Sequence, residues 1–365
     1  MRTCSLIAAL CFMSANPLTA AELDWIQVSP DGKSFVTAKE QKPFVPWGFN
    51  YDHDRDGQLL EDYWNTDWKS VAQDFAEMKQ LGANVVRIHI QFGKFMSAPD
   101  QPREAALKKL GELLALAERT GLYLDLTGLG CYHKQDVPAW YDQLSDAERW
   151  QAQAHFWSAV AKECANSPAI FCYDLMNEPV VQAGKKRGTD WLGPALAGKH
   201  FVQRITLGPD ERPRPEIAAA WIKMLVEAIR KQDQRHLITV GLVPWSLERP
   251  GLQSGFVPDK ISAHLDFICV HLYPEKGKVD AALKTLKGFD VGKPLVIEET
   301  FPLKSSPEEF EDFLQKSKQD ADGWIGFYWG KTHDEYKQGK TIVDAIMAGW
   351  LEFFLKQGPQ FKGEQ

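Results

Sequence analysis

Eight short apolar, β-rich runs, each followed by a stretch long enough for an amphipathic helix, constrain this chain more than any other feature. The runs are Val45 to Asn50, Asn84 to Ile90, Leu122 to Thr127, Ile170 to Asn177, His236 to Leu242, Asp266 to Leu272, Pro294 to Glu299 and Trp324 to Trp329. Their starts lie 39, 38, 48, 66, 30, 28 and 30 residues apart, room each time for one strand, one helix and loops. Strands alternating with helices pair in parallel, because each helix carries the chain back to the end where the next strand begins. Eight such units fit a single closed (β/α)8 TIM barrel, an α/β fold. A doubly wound open sheet would usually show a glycine-rich phosphate turn after its first strand, and here that segment reads Gly48-Phe49-Asn50-Tyr51-Asp52.

Boundary signals agree with the alternation. Ser145 with Glu148 forms a capping box that opens a helix over Asp146 to Ala165, and Ser306, Pro307 and Glu309 combine an N-cap, an N1 proline and an N3 acid. Gly82 and Gly121 stand where left-handed caps would end helices over Asp67 to Leu81 and Arg103 to Thr120. A short β-hairpin is expected at residues 24 to 44. The 66-residue interval holds an insertion after strand four, Val181 to Pro215, which reads as a structured lid or cleft wall carrying Trp191 and Phe201.

The first 21 residues read differently. Arg2 precedes the apolar stretch Leu6 to Met13, and small residues follow at Thr19, Ala20 and Ala21, the pattern of a cleaved signal peptide. Residues 22–365 are then one catalytic barrel domain, secreted or periplasmic and a monomer, with no membrane contact after cleavage. A net charge of −7 without a long basic run argues against nucleic acid or an anionic membrane as partner. Of six cysteines, Cys131, Cys164, Cys172 and Cys269 lie beyond the signal and lack metal-ligand spacing.

Polar residues gather at the carboxyl ends of the strands, where the reactive groups of such barrels lie. Arg87 and His89 close the second run, Asn177-Glu178-Pro179 the fourth, His271-Leu272-Tyr273 the sixth, Glu298-Glu299 the seventh and Tyr328-Trp329 the eighth. Charged groups directly after apolar runs are costly unless paired, so these endings point to one shared site. Carboxylates on strands four and seven would face each other across the barrel mouth, the arrangement that hydrolysis of a glycosidic bond requires. Strict alternation puts Leu295, Ile297 and Glu299 on one side of their strand and Val296 and Glu298 on the other, so only one of the adjacent acids is expected to face the site.

In the order and spacing of these endings the chain resembles glycoside hydrolase family 5, within the broad retaining (β/α)8 clan that includes cellulases and mannanases. The resemblance runs over nearly all of the chain after residue 21. It implies Glu178 as acid/base, Glu299 as nucleophile with Glu298 as competitor, and no metal or organic cofactor. It further implies that Arg87 holds the nucleophile ionised, Asn177 bonds a sugar 2-hydroxyl, Tyr273 donates to the nucleophile, His271 orients the acid/base pair and Trp329 floors the subsite of the sugar being cleaved. The substrate class it implies is a β-glucan or β-mannan polysaccharide or oligosaccharide. Two departures stand out: Leu126-Thr127-Gly128-Leu129-Gly130 where many members end strand three in His, and Thr300-Phe301-Pro302 after the nucleophile.

Trp47, Tyr51, Trp64, Trp140, Trp191, Trp245 and Trp329 fall near strand ends or in following loops and could stack on sugar rings. Two alternatives use the same fold. A catalytically inactive sugar-binding barrel would lack one of the acids, whereas Glu178 and Glu299 are both present. A metal-dependent hydrolase would need His53, His89, His133 and His271 to converge, without a compact ligand motif to support it.

Overall fold

The structure is a computed structural model that describes residues 22–52, 58–184, 191–209, 211–248 and 252–363. The proposed signal peptide, His53 and the Trp329 side chain lie outside the described part. Eight parallel strands form the centre: β1 (Trp47–Asp52), β2 (Val85–Gln91), β3 (Tyr123–Gly130), β4 (Ile170–Asn177), β5 (Leu237–Gly241), β6 (Ile268–His271), β7 (Leu295–Glu299) and β8 (Gly323–Trp329). The ladder runs from β5 through β4, β3, β2, β1, β8 and β7 to β6. Its two ends meet, since the Asp266 N–H donates to Ile238 O (2.9 Å) and the His271 N–H to Leu242 O (2.8 Å). The sheet thus closes into the expected barrel.

Helices α1 (Trp68–Gln80), α2 (Glu104–Thr120), α3 (Asp146–Cys164), α4 (Arg214–Arg230), α5 (Pro258–Ile261), α6 (Val279–Lys287), α7 (Pro307–Ser317) and α8 (Ile342–Lys362) follow the strands of the same number. The expected capping box forms at Ser145 with Glu148, and the N-cap Ser306 with the N3 acid Glu309 forms a second one. Gly82 and Gly121 adopt φ of +88° and +70° beyond α1 and α2, a region that costs any residue with a Cβ. One interval departs from expectation: after β5 the helix shrinks to the single turn α5 and a 3₁₀ turn at Ser262–His264. Pro244, Gly255 and Pro258 break helical continuity in that interval.

The hairpin acquires a third strand. Ile26–Val28, Phe35–Thr37 and Pro43–Phe44 form an antiparallel sheet across the amino ends of the barrel strands. Phe35 packs edge-on against Phe171 (5.2 Å) and Phe267 (5.1 Å), and burying a phenylalanine this way contributes about 1.5–3 kcal/mol. Its cluster includes Val85, Tyr123, Cys172, Leu237, Cys269 and Val296. Two residues further along the same strands come Arg87, Asp125, Asp174, Thr239, His271 and Glu298, all buried. The period of two makes both sets point inward, so an apolar floor at one end carries a polar layer above it. The free cysteines are buried, Cys172 and Cys269 within that floor.

The insertion is tied down where it is described. Pro179–Val181 pairs in parallel with Gln203–Thr206, and buried Trp191 donates its indole N–H to Asp142 at 2.7 Å. Phe201 lies 5.2 Å from the Tyr132 ring in the β3–α3 connection. These contacts make this part a wall beside the carboxyl end of β4.

Candidate active site

Arg87 is the centre of the polar layer, fully buried at mid-strand on β2. A guanidinium in the interior must spend its N–H groups on fixed acceptors. Its Nη1 donates to Asn50 Oδ1 (2.9 Å) and Glu299 Oε1 (2.6 Å), and its Nη2 to Asp174 Oδ2 (2.7 Å) and Asn177 Oδ1 (3.1 Å). Glu298 Oε2 stands 3.5 Å from Nη2. Asn50 in turn donates to the carbonyls of Glu298 (2.9 Å) and Gly326 (3.0 Å), tying β1 to β7 and β8. Asp174 is held by the Thr127 hydroxyl (2.8 Å) and the Gly241 N–H (2.7 Å) as well as by Arg87.

Above this layer stand Glu178 and Glu299, with side chains 18% and 12% exposed. Glu178 follows β4 with φ +47°, left-handed backbone that costs a non-glycine residue about 1 kcal/mol or more. Its N–H donates to Gly241 O at 3.1 Å, which holds the turn. Tyr273 donates its hydroxyl to Glu299 Oε2 at 2.7 Å. His271 bridges the layers: Nδ1 lies 3.0 Å from Glu178 Oε1 and 3.6 Å from Glu299 Oε2, and Nε2 3.3 Å from Glu298 Oε2. Burial opposes charge on this imidazole, but Glu299, Glu178 and Glu298 overcome it and lift its pKa to about 10. Both ring nitrogens of His271 are thus taken up by carboxyl oxygens. One oxygen each from Glu178 and Glu299 and one nitrogen of His271 lie within 4.8 Å of one another.

Arg87, Asn177, Glu178, His271, Tyr273 and Glu299, picked from four strand ends, are thus brought into one hydrogen-bonded group. Trp329 reaches the barrel mouth as backbone, paired with Asp52 of β1. The expectation that Glu298 and Glu299 must part is corrected. Glu298 is fully buried and points inward, as its place two residues after Val296 requires, yet Glu299 also joins the group. The β6–β7 pairing shifts register between Val270 and His271, so that His271 pairs with Glu299. The β8 ladder has already ended at Ile297, and strict alternation is not imposed on the last residue.

Burial also sorts the aromatic candidates. Trp47, Tyr51, Trp64 and Trp191 are buried core residues, Trp47 stacked on Phe354 (4.4 Å) and Phe361 (4.7 Å) of α8, and they offer no face to a sugar. Trp140 and Trp245 remain half-buried. The strand-three departure has a packing reason: Gly128 faces Trp157, where a Cβ would come within 2.3 Å of the indole, and Thr127 supplies the donor to Asp174. After Glu299, Phe301 packs 5.2 Å from Trp350 of α8.

The residues missed in sequence are Asn50, Asp125, Asp174, Glu298 as a network member, and Gly241. A charge inside an apolar run, as in Leu124-Asp125-Leu126 or Tyr173-Asp174-Leu175, was the available signal. Gly241 is needed because a Cβ there would sit 2.9 Å from His271 Nε2, 3.1 Å from Glu298 Oε2 and 3.2 Å from Arg87 Nη2.

Two sets bring metal-ligand atoms together among the described residues: Glu178 with His271 and Glu299, and Asp125 with Asp174 and Glu298. Neither suits a cation. In the first both His271 ring nitrogens are already taken up by carboxyl oxygens, and the Arg87 guanidinium stands against the second. His89 and His133 join neither set. His89 instead pairs through Nδ1 with the Tyr132 hydroxyl, and burial with the nearby cations Arg87 and His271 holds its pKa well below the usual range.

The cellulase model of glycosyl hydrolase family 5 matches residues 40–333. The chain belongs to glycosyl hydrolase family 5. No curated protein matches its sequence. Among solved structures, an exo-β-1,4-mannosidase from Opitutaceae bacterium strain TAV5 is similar at TM-score 0.69 and 15% identity, over 92% of this chain and 62% of that one. This family 5 chain therefore spans less than two thirds of the mannosidase. A β-1,4-D-mannanase from Cryptopygus antarcticus gives TM-score 0.66 at 15% identity over 92% of this chain and 95% of its own. The β-mannanase of the blue mussel Mytilus edulis gives 0.61 at 14% over 92% and 97%. At such identities the likeness is one of fold.

Proposed function

We propose that this family 5 chain is a retaining β-glycoside hydrolase acting on β-linked mannan or manno-oligosaccharide, with a β-glucan as the second choice. The observation that carries the mechanism is the approach of one Glu178 oxygen and one Glu299 oxygen to within 4.8 Å, with Arg87 and Tyr273 holding Glu299. Retaining enzymes bring their carboxyl groups to about 5–5.5 Å, whereas inverting ones leave about 6.5–9.5 Å for a water. Ionised Glu299 attacks the anomeric carbon while protonated Glu178 gives its proton to the leaving oxygen. In the second step Glu178 takes a proton from a water whose oxygen attacks the anomeric carbon, and the ester bond to Glu299 breaks to release the sugar. Asn177, fixed by Arg87 and by Phe201 O, presents its amide to the 2-hydroxyl. No step calls for a metal or organic cofactor.

Mannan is favoured because the similar solved structures named above act on mannosides. A panel of mannan, glucomannan, cellulose and mixed-linkage glucan, with aryl β-mannoside and β-glucoside, tests this through initial rates and product lengths. Manno-configured substrates are expected to lead by about tenfold or more. Faster glucan cleavage would replace the substrate, and binding without turnover on the whole panel would replace the enzyme reading by the inactive barrel.

We also propose export with removal of residues 1–21, on the basic, apolar and small-residue order at the amino end. Amino-terminal sequencing of protein recovered outside the cytoplasm should begin near Ala21 or Glu22. A chain still starting at Met1 would contradict it.

A further inference from the structure

Beneath the two working acids lies a second pair that the mechanism does not use. Asp125 on β3 is buried, and among the described residues neither of its carboxyl oxygens meets an N–H or hydroxyl donor, the weak Cys172 thiol being its neighbour; Glu298 on β7 is fully buried, and its Oε1 lacks such a donor too. Asp174 beside them differs, with Arg87, Thr127 and the Gly241 N–H all donating to it. Oxygens of Asp125, Asp174 and Glu298 lie within 4.8 Å of one another. Three buried acceptor atoms without a donor are costly, and two ionised carboxylates at that distance repel each other strongly.

We propose that Asp125 keeps its proton and donates it to Glu298, making it a positioning residue that acts on the acid/base Glu178 through Glu298 and His271. A single proton removes the like-charge contact and supplies the missing donor. Glu298 then keeps its other oxygen for Arg87 and the His271 Nε2 proton, while His271 Nδ1 reaches Glu178. A continuous chain of contacts thus runs from the buried floor to the catalytic mouth.

The surroundings agree from every side. Facing the pair are Arg87 from β2, Cys172 and Asp174 from β4, and Cys269 and His271 from β6. Burial and then Glu298 push Asp125 well above the usual carboxylate range, more than Arg87 can offset. Burial would raise Glu298 as well, but Arg87 and His271 hold it well below that range. Cys172 and Cys269 are kept as neutral thiols by burial. The two carboxyl groups separate into one acid and one anion, the division seen whenever environments push neighbouring carboxyls apart.

Asp125→Asn and Asp125→Ala test this, and the first two readouts are independent of the proposed substrate. At neutral pH the infrared spectrum of wild type should hold a protonated-carboxyl C=O band that Asp125→Asn removes. In wild type the folded state retains a proton that the unfolded chain releases above about pH 4, so wild-type stability falls as pH rises through that point. The Tm of Asp125→Asn should accordingly gain on wild type between about pH 4 and about pH 7. In kinetics, Asp125→Ala should lower kcat/KM about tenfold or more and move the acid limb of the pH profile, and Asp125→Asn should restore both. Absence of the band, or a Tm difference that is flat or falls with pH, would overturn the shared proton. So would a wild-type Tm that drops on chelation or on exchange of alkali cations, since a bound ion would then be the missing partner. If the band and Tm behave as stated but no glycoside is turned over, the proton stands and the hydrolase reading falls.

Discussion

Replacing Glu299 by alanine is expected to abolish turnover of every glycoside, by about 10⁴-fold or more, because no glycosyl-enzyme can form. Replacing Glu178 is expected to act differently. An aryl glycoside with a dinitrophenolate leaving group departs without protonation, so Glu178→Ala should lose little in the first step and be limited by the second, which still needs a base. With a poor leaving group the same variant should lose roughly 10²–10⁴-fold. Added azide separates the roles by stereochemistry: Glu178→Ala should yield a β-azide and Glu299→Ala an α-azide. The arrangement explains why Glu298 is the instructive control. It is 0% exposed and cannot meet a sugar, whereas Glu299 stands at the mouth between Arg87 and Tyr273. A Glu298→Ala enzyme that made the α-azide would reverse this assignment. Inverted product from wild type, read by polarimetry or proton NMR in the first minutes, would remove double displacement altogether.

Arg87→Met should cost both stability and activity. The fully buried guanidinium faces Glu299, Asp174 and Glu298, and breaking a buried pair by removing one partner costs about 3–5 kcal/mol. Much of that cost is electrostatic, which gives it a pH signature. Arg87 lowers the pKa of both Asp174 and Glu298 against the upward push of burial, so without it both rise and the folded variant binds more protons than folded wild type. Its stability deficit should therefore be largest near neutral pH and shrink as pH falls toward about 4. Urea midpoints of wild type and variant across that range measure it. A deficit independent of pH would mean that Arg87 acts through packing alone.

The family and the barrel could be read from the sequence because their signals are local. Strand runs, capping boxes and left-handed glycines are set by neighbours a few residues away, and such neighbours are adjacent in the chain. That is why Ser145, Ser306, Gly82 and Gly121 mark boundaries the structure contains. The strand-end motifs were legible for a related reason: each is a short run at a place the barrel always turns toward its mouth. Reading failed where a decision belongs to residues far apart. Nothing near Trp47 or Trp64 says that α8 or neighbouring loops cover them, and the turn at α5 replaces a helix that the interval could have held. Nor does Glu298-Glu299 say which acid goes inward, since that depends on the register shift against β6 and the end of the β8 ladder. Asp125, Asp174 and Gly241 look ordinary in the chain. Their meaning comes from closure of the sheet, which brings strands three, four, five and seven around one guanidinium from strand two. The sequence by itself determined the alternation, the barrel and the supply of acids at its mouth. Tertiary structure alone decided which acid is buried, which is exposed and which cation holds them, because charge and burial are properties of the assembled interior.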